Sequence, residues 1–195
     1  KPSCHKVYGE ANALLAGDAL LTAAFEALAT APAPGGANAR AAACLAQAAG
    51  TRGMVYGQEL DLYYENHHPG EEQLREVHRC KTGMLINAAV QLGAIAADAS
   101  EEQCRALTQY AFDVGLVFQV VDDIMDATAD EAELGKPTGS DAENQKSTFF
   151  TLLGADGARQ FAQTVNIRAV KALADFGPRA EFLKQLADKL LARRK

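Results

Sequence analysis

Apolar residues recur at three- and four-residue steps along most of the chain, and proline and glycine cut that pattern into long blocks. The spacing predicts a first helix from about Tyr8 to Thr30, ended by "APAPGG", and a second from Asn38 to about Tyr64, stopped at "ENHHPG". A third is predicted from Glu71 to Ala97. The segment "DASEEQ" then offers Ser100 as a cap, with acidic residues in the first turn of a fourth helix. That fourth helix carries Leu107, Ala111, Val114, Phe118, Val121 and Met125 on one stripe. A polar loop follows from Ala129 to about Gln145, and two or three shorter helices finish the chain at "LLARRK". No alternating, β-branched stretch bounded by turns stands out, and no internal repeat is visible, so the predicted class is all-α with long helices.

The longest apolar run, from Ala11 to Ala31, is broken by Asn12, Asp18 and Glu26 and is mostly alanine. Alanine is only weakly hydrophobic, so this run predicts a buried helix of a globular domain and no membrane span. With 195 residues, 48% of them hydrophobic, the chain can bury the core of a single domain. Its 19 Lys and Arg stand against 25 Asp and Glu, a net charge of -6, which argues against nucleic acid as a partner. Cys4, Cys44, Cys80 and Cys104 are scattered, form no CxxC pair and follow no secretory signal, so they read as reduced thiols of a cytoplasmic protein.

One stretch breaks the usual rule for a helix stripe. In "FQVVDDIMD" the apolar stripe runs directly into Asp122, Asp123 and Asp126. Asp122 and Asp126, four residues apart, share a helical face, and Asp123 lies about 100° round from Asp122. A lone DDxxD is most simply a solvated helix end. Here, however, the carboxylates continue a core-facing stripe and sit near a helix C-terminus, where the dipole disfavours negative charge. Clustered hard oxygen ligands without histidine or cysteine suit Mg²⁺, which keeps several waters and bridges carboxylates to substrate phosphates.

The chain also offers cations for such phosphates. In "HRCKTGML" Lys81, Thr82 and Gly83 fall inside a strong helical pattern, and a Thr-Gly pair there lowers helix propensity and loosens a turn. Lys136 and Lys146 follow in the polar loop. Three lysines with three aspartates describe a diphosphate held between Mg²⁺ and ammonium groups. Alternatively, Lys81 alone reads as an ordinary snorkelling side chain. His67 and His68 of "ENHHPG" read as a surface turn, and no glycine-rich nucleotide-phosphate loop is present.

Together, "FQVVDDIMD", "LGKPTGSDAENQKST", "CKTGMLINAAVQLGA" and "HKVYGEANALLAGDALLTAAF" closely resemble the trans-isoprenyl diphosphate synthases, the polyprenyl synthetase family, and most of all its bacterial farnesyl and geranyl diphosphate synthases. The resemblance is collinear over nearly the whole chain. It implies an all-α bundle of long antiparallel helices around a central cavity, of the isoprenoid synthase type I fold. It implies a homodimeric, Mg²⁺-dependent prenyltransferase joining an allylic diphosphate to isopentenyl diphosphate, with farnesyl diphosphate as the expected product. By the same resemblance Asp122, Asp123 and Asp126 bind Mg²⁺, and Lys81, Lys136 and Lys146 contact the allylic diphosphate. Thr82 and Gln119 line the reacting centre together with Lys81, Gln58 and Asp61 face the hydrocarbon cavity, and Arg193 and Arg194 help bind the homoallylic diphosphate.

Members of the family carry a first aspartate-rich motif and an arginine pair just upstream of the segment matching "KPSCHKVYGE", where this sequence starts. The expectation is therefore the C-terminal portion of a single polyprenyl synthetase domain, inactive when isolated. Two rival readings remain. A class I terpene cyclase also ionises a prenyl diphosphate, but its second metal motif is of the NSE type, and none follows Asp126. A non-catalytic binding subunit of a prenyl synthase would have no need of the lysines and aspartates.

Overall fold

The computed structural model describes residues 2–33, 35–128 and 147–193, and among them the chain is helical with no strand. The elements are α1 (Cys4–Tyr8), α2 (Glu10–Thr30), α3 (Ala37–Ala49), α4 (Met54–Tyr64), α5 (Glu71–His78), a π-helical turn (Arg79–Gly83), α6 (Met84–Ala96), α7 (Glu101–Thr128), α8 (Phe149–Ala172), a 3-10 segment (Ala174–Ala180) and α9 (Glu181–Leu191).

The all-α expectation holds, and most boundaries fall where the sequence puts them. Ser100 opens α7 as expected: its hydroxyl accepts the Gln103 N–H, and Gln103 Oε1 accepts the Ser100 N–H, each satisfying an amide the helix leaves orphaned. The predicted helix over 38–64 is broken in two, because "GTRG" places Gly50 and Gly53 at the join. A side chain at Gly53 would sit 2.1 Å from the Ala48 carbonyl oxygen, so the turn is closed too tightly for any other residue. Instead of only short helices at the end, α8 runs 24 residues, interrupted at Gly154, whose φ of 69° is not helical.

Helix α7 is the axis of the molecule. Its buried residues, from Leu107 to Ile124, pass through both core clusters. At its C-terminal half, Val117, Val120, Val121 and Ile124 pack with Leu74 of α5 and with Phe149, Ala158, Ala162 and Val165 of α8. At its N-terminal half, Leu107, Tyr110 and Val114 pack with Ala94, Ala169, Leu173, Ala180 and Ala187. The Tyr110 hydroxyl donates to the Leu183 carbonyl at 2.7 Å and ties α9 to this end.

The run over 11–31 departs from expectation. It forms α2, but no residue of that helix is buried, and Leu14, Leu15, Leu20 and Leu21 are each more than half exposed. Its main neighbours are α1 and α3, which touch it without covering it. By length and composition α2 is also apolar enough to cross a bilayer, a property that core helices of globular proteins share.

One charged pair is sunk into the α7–α8 contact. Asp113 is buried, and the Arg168 guanidinium grips it through two nitrogens, at 2.6 and 2.9 Å, while Gln109 donates a third hydrogen bond at 2.8 Å. That hydrogen bonding to Asp113 is the main cause of an upward shift in the Arg168 pKa. Removing the arginine would strand a desolvated carboxylate. Arg168→Ala is expected to destabilise the fold by about 2–3 kcal/mol, below the full cost of breaking a buried pair because the arginine stem is half exposed. Arg159→Ala, at the exposed pair with Asp156, is expected to cost less than about 0.5 kcal/mol. Urea denaturation of the two variants checks the contrast.

Candidate active site

Where the sequence weakens the predicted helix over 71–97, the chain keeps its direction but widens into the π turn Arg79–Gly83. Such a turn carries one extra residue and is often found at functional sites. Two glycines on neighbouring helices make room for it. A side chain on Gly57 of α4 would come within 2.1 Å of the Lys81 backbone nitrogen and 2.6 Å of the Cys80 carbonyl carbon. A side chain on Gly115 of α7 would lie 3.2 Å from the Gly83 Cα. The turn is thus pressed between two backbones.

That packing aims two side chains. Lys81 Nζ donates to Asp61 Oδ2 at 2.6 Å, one turn along α4 from Gly57. Thr82 donates its hydroxyl proton to Gln119 Oε1 on α7. Asp61 is therefore placed against Lys81, nearly buried, as a counter-ion within the cleft. Cys80, directly before Lys81 in the π turn, is buried, and that burial is the main force raising its thiol pKa, so it is a poor nucleophile.

Lys81, Asp61 and Gln119 line one cleft with Asp122, Asp123 and Asp126, and Ser147 and Thr148 close its other side. Asp122 and Asp123 are compensated by separate groups. Asp123 Oδ2 accepts the Phe149 N–H at 2.8 Å and so sits at the positive end of the α8 dipole. Thr148 and Thr151 cap the same helix end reciprocally, at 3.1 and 2.8 Å. Asp122 Oδ1 accepts from Arg193 Nη2 at 2.7 Å, and the Arg193 guanidinium lies 4.9 Å from the centre of the Phe118 ring. Negative charge at this end of α7, which the helix dipole disfavours, is thus offset by a second helix terminus and an arginine.

The donor set fits a hard cation. It is all carboxylate, and Asp122 already carries a cationic partner in Arg193. Among the described residues no three acidic, histidine or cysteine side chains form a complete metal cage. Mg²⁺ rarely uses one, since it takes one or two carboxylates and fills its shell with water and phosphate oxygens.

Of the other residues named from sequence, Gln58 is half-buried on α4 and does not line this cleft. Thr82 reaches it through Gln119, while Lys136, Lys146 and Arg194 lie outside the described residues. Gly57, Tyr64, His78 and Thr148 were not picked out from sequence. A glycine within a strong helical run was the available signal for Gly57, and the Thr148–Thr151 spacing was the signal for the cap.

The family described as Polyprenyl synthetase matches residues 1–175. The chain is 43% identical over 201 residues to the farnesyl diphosphate synthase of Escherichia coli, covering all of this chain and 67% of that protein. It is 43% identical over 195 residues to a probable farnesyl diphosphate synthase of Sinorhizobium fredii, covering 98% of this chain and 59% of that protein. The crystal structure of a geranyltransferase from Helicobacter pylori complexed with magnesium and isoprenyl diphosphate superposes with a TM-score of 0.82 at 36% identity, over 98% of this chain and 63% of that one. The chain thus spans roughly three fifths to two thirds of these proteins.

The tight contact at the π turn yields a measurable contrast. Gly57→Ala meets backbone atoms that cannot rotate away, and is expected to cost about 3 kcal/mol or more. Gly93→Ala on α6 meets nothing within 4 Å and is expected to stabilise by about 0.4–1 kcal/mol. Thermal melting of both variants tests it, and equal melting points would sink the account of the turn.

Proposed function

The chain belongs to the polyprenyl synthetase family, and from that we propose that the protein bearing it is a trans-prenyltransferase. It condenses dimethylallyl or geranyl diphosphate with isopentenyl diphosphate and makes a short-chain prenyl diphosphate, with farnesyl diphosphate as product. These 195 residues supply the C-terminal portion of its catalytic domain. The observation that carries the reading is the shared cleft, in which Lys81 and Gln119 stand across from Asp122, Asp123 and Asp126.

In this reading Asp122, Asp123 and Asp126 hold Mg²⁺, with one oxygen of Asp123 engaged by the Phe149 N–H. Bound Mg²⁺ supplies Lewis-acid charge that polarises the diphosphate leaving group. Lys81 exchanges Asp61 for a phosphate oxygen and stabilises negative charge as the allylic C–O bond breaks and its electron pair passes to oxygen. Lys136 and Lys146 act alongside it. The Thr82 and Gln119 oxygens and the Lys81 carbonyl turn lone pairs toward the allylic cation. The double bond of isopentenyl diphosphate then attacks that cation, and a proton leaves to the released diphosphate. Arg193 and Arg194 serve the second diphosphate.

The protein works in the cytoplasm as a homodimer, a reading consistent with four free cysteines and with the exposed leucines of α2, which offer an apolar face to a second copy.

Incubation of the whole protein that bears these residues with labelled isopentenyl diphosphate and each allylic diphosphate, followed by product chromatography, tests the activity. Farnesyl diphosphate is the expected product, and no chain extension with either allylic substrate would refute the proposal. Lys81→Ala is expected to weaken binding of inorganic diphosphate in the presence of Mg²⁺ by about ten- to a hundredfold, as befits one lost charge-assisted contact. An unchanged affinity with a lowered melting temperature would return Lys81 to the role of a snorkelling side chain.

A further inference from the structure

Arg193 does not stand where its sequence role would leave it. It follows α9 by two residues, and its root is fixed: Leu191 packs on the core cluster of α7 and α8, and Asn166 of α8 donates to Asp188 at 2.8 Å. The Ala192 and Arg193 amides still bond back to Asp188 and Leu190, so the chain delivers the arginine to a fixed place. There its Nη2 lies 2.7 Å from Asp122 Oδ1 and its guanidinium lies against Phe118, one helical turn earlier on α7. Its Nε is buried with no hydrogen-bond partner among the described residues.

We propose that Arg193 is a latch that occupies the metal carboxylate Asp122 until a divalent cation displaces it. The inference rests on the reading of Asp122 as a metal ligand. Arg193 holds Asp122 through Oδ1, and a divalent ion on the same carboxylate would stand close to the guanidinium, where the two positive charges repel in a half-buried cleft. Metal arrival therefore favours release of Arg193. The freed arginine keeps its root at Leu191 and stands beside the cleft as an unpaired cation with an unsatisfied Nε, ready for a phosphate oxygen. The exchange also runs in reverse: an anion that draws Arg193 away uncovers Asp122 for metal. Metal and diphosphate then favour each other's binding by the same factor.

Titration of the chain with Mn²⁺, followed by loss of the free-ion electron paramagnetic resonance signal, reads the competition directly. Arg193→Gln is expected to bind Mn²⁺ about three- to tenfold more tightly than the native chain, and Arg193→Lys to fall between them, because a lysine keeps the charge but loses the planar stacking. Hydrogen exchange of the native chain gives a second readout that needs no variant: Mg²⁺ is expected to speed exchange in the peptide covering 188–193. Unchanged or weaker Mn²⁺ binding in Arg193→Gln, while Asp122→Asn still loses the metal, would overturn the latch alone. Undiminished Mn²⁺ binding in Asp122→Asn would remove the metal reading of the aspartates and the latch with it.

Discussion

The site depends on one steric constraint, the contact of the α4 backbone with the backbone of the π turn. Helices ordinarily meet through side chains, with axes 8–10 Å apart. At Gly57 there is no side chain, and the missing Cβ would overlap the Lys81 amide. The close approach brings Asp61, on the same helix, within reach of the Lys81 ammonium. Gly115 supports the turn from α7, and Gln119, one turn later, meets Thr82. Each polar pair is thus set by a glycine one turn before it, and the extra residue of the π turn is what turns Lys81 and Thr82 toward two different helices.

Electrostatics follows from that frame. The cleft collects four carboxylates in a chain already net negative, an arrangement that would be unstable if they faced only each other. Instead Asp61 has Lys81, Asp122 has Arg193, and Asp123 has the amide end of α8. The partners come from the π turn, α8 and the segment after α9, so neutralising the cleft also pins the ends of the bundle together.

The architecture was legible because periodicity, proline and glycine report local backbone preference. The stripe from Leu107 to Met125 led directly to α7, and the Thr-Gly pair marked the turn that widened. Two things were not legible. The break at Gly50–Gly53 and the role of Gly57 depend on what lies across from a glycine, which no periodicity carries. The partners of Asp61, Asp122 and Asp123 lie 20 to 71 residues away in the chain, so residue type pointed to the site while pairing waited on tertiary packing. The alanine-rich run misled for a related reason: composition states that a helix can be covered, and α2 is left bare.

The hydroxyl of Tyr110 has a consequence on the alkaline side. It is buried between α7 and α9 with its proton on the Leu183 carbonyl, and burial pushes its pKa up to about 12 from the ordinary 10. Stability from keeping that phenol neutral is fully present below pH 10 and drains away as the pH climbs from there toward 12. Ionisation would cost the bond its donor and place a phenolate against a carbonyl oxygen. Alkali strong enough to ionise Tyr110 therefore acts on the seam that seats α9, the helix from which Arg193 reaches back to Asp122. Because the chain has no tryptophan, its near-ultraviolet absorbance is dominated by five tyrosines, and ionisation of Tyr110 near pH 12 marks the release of that helix.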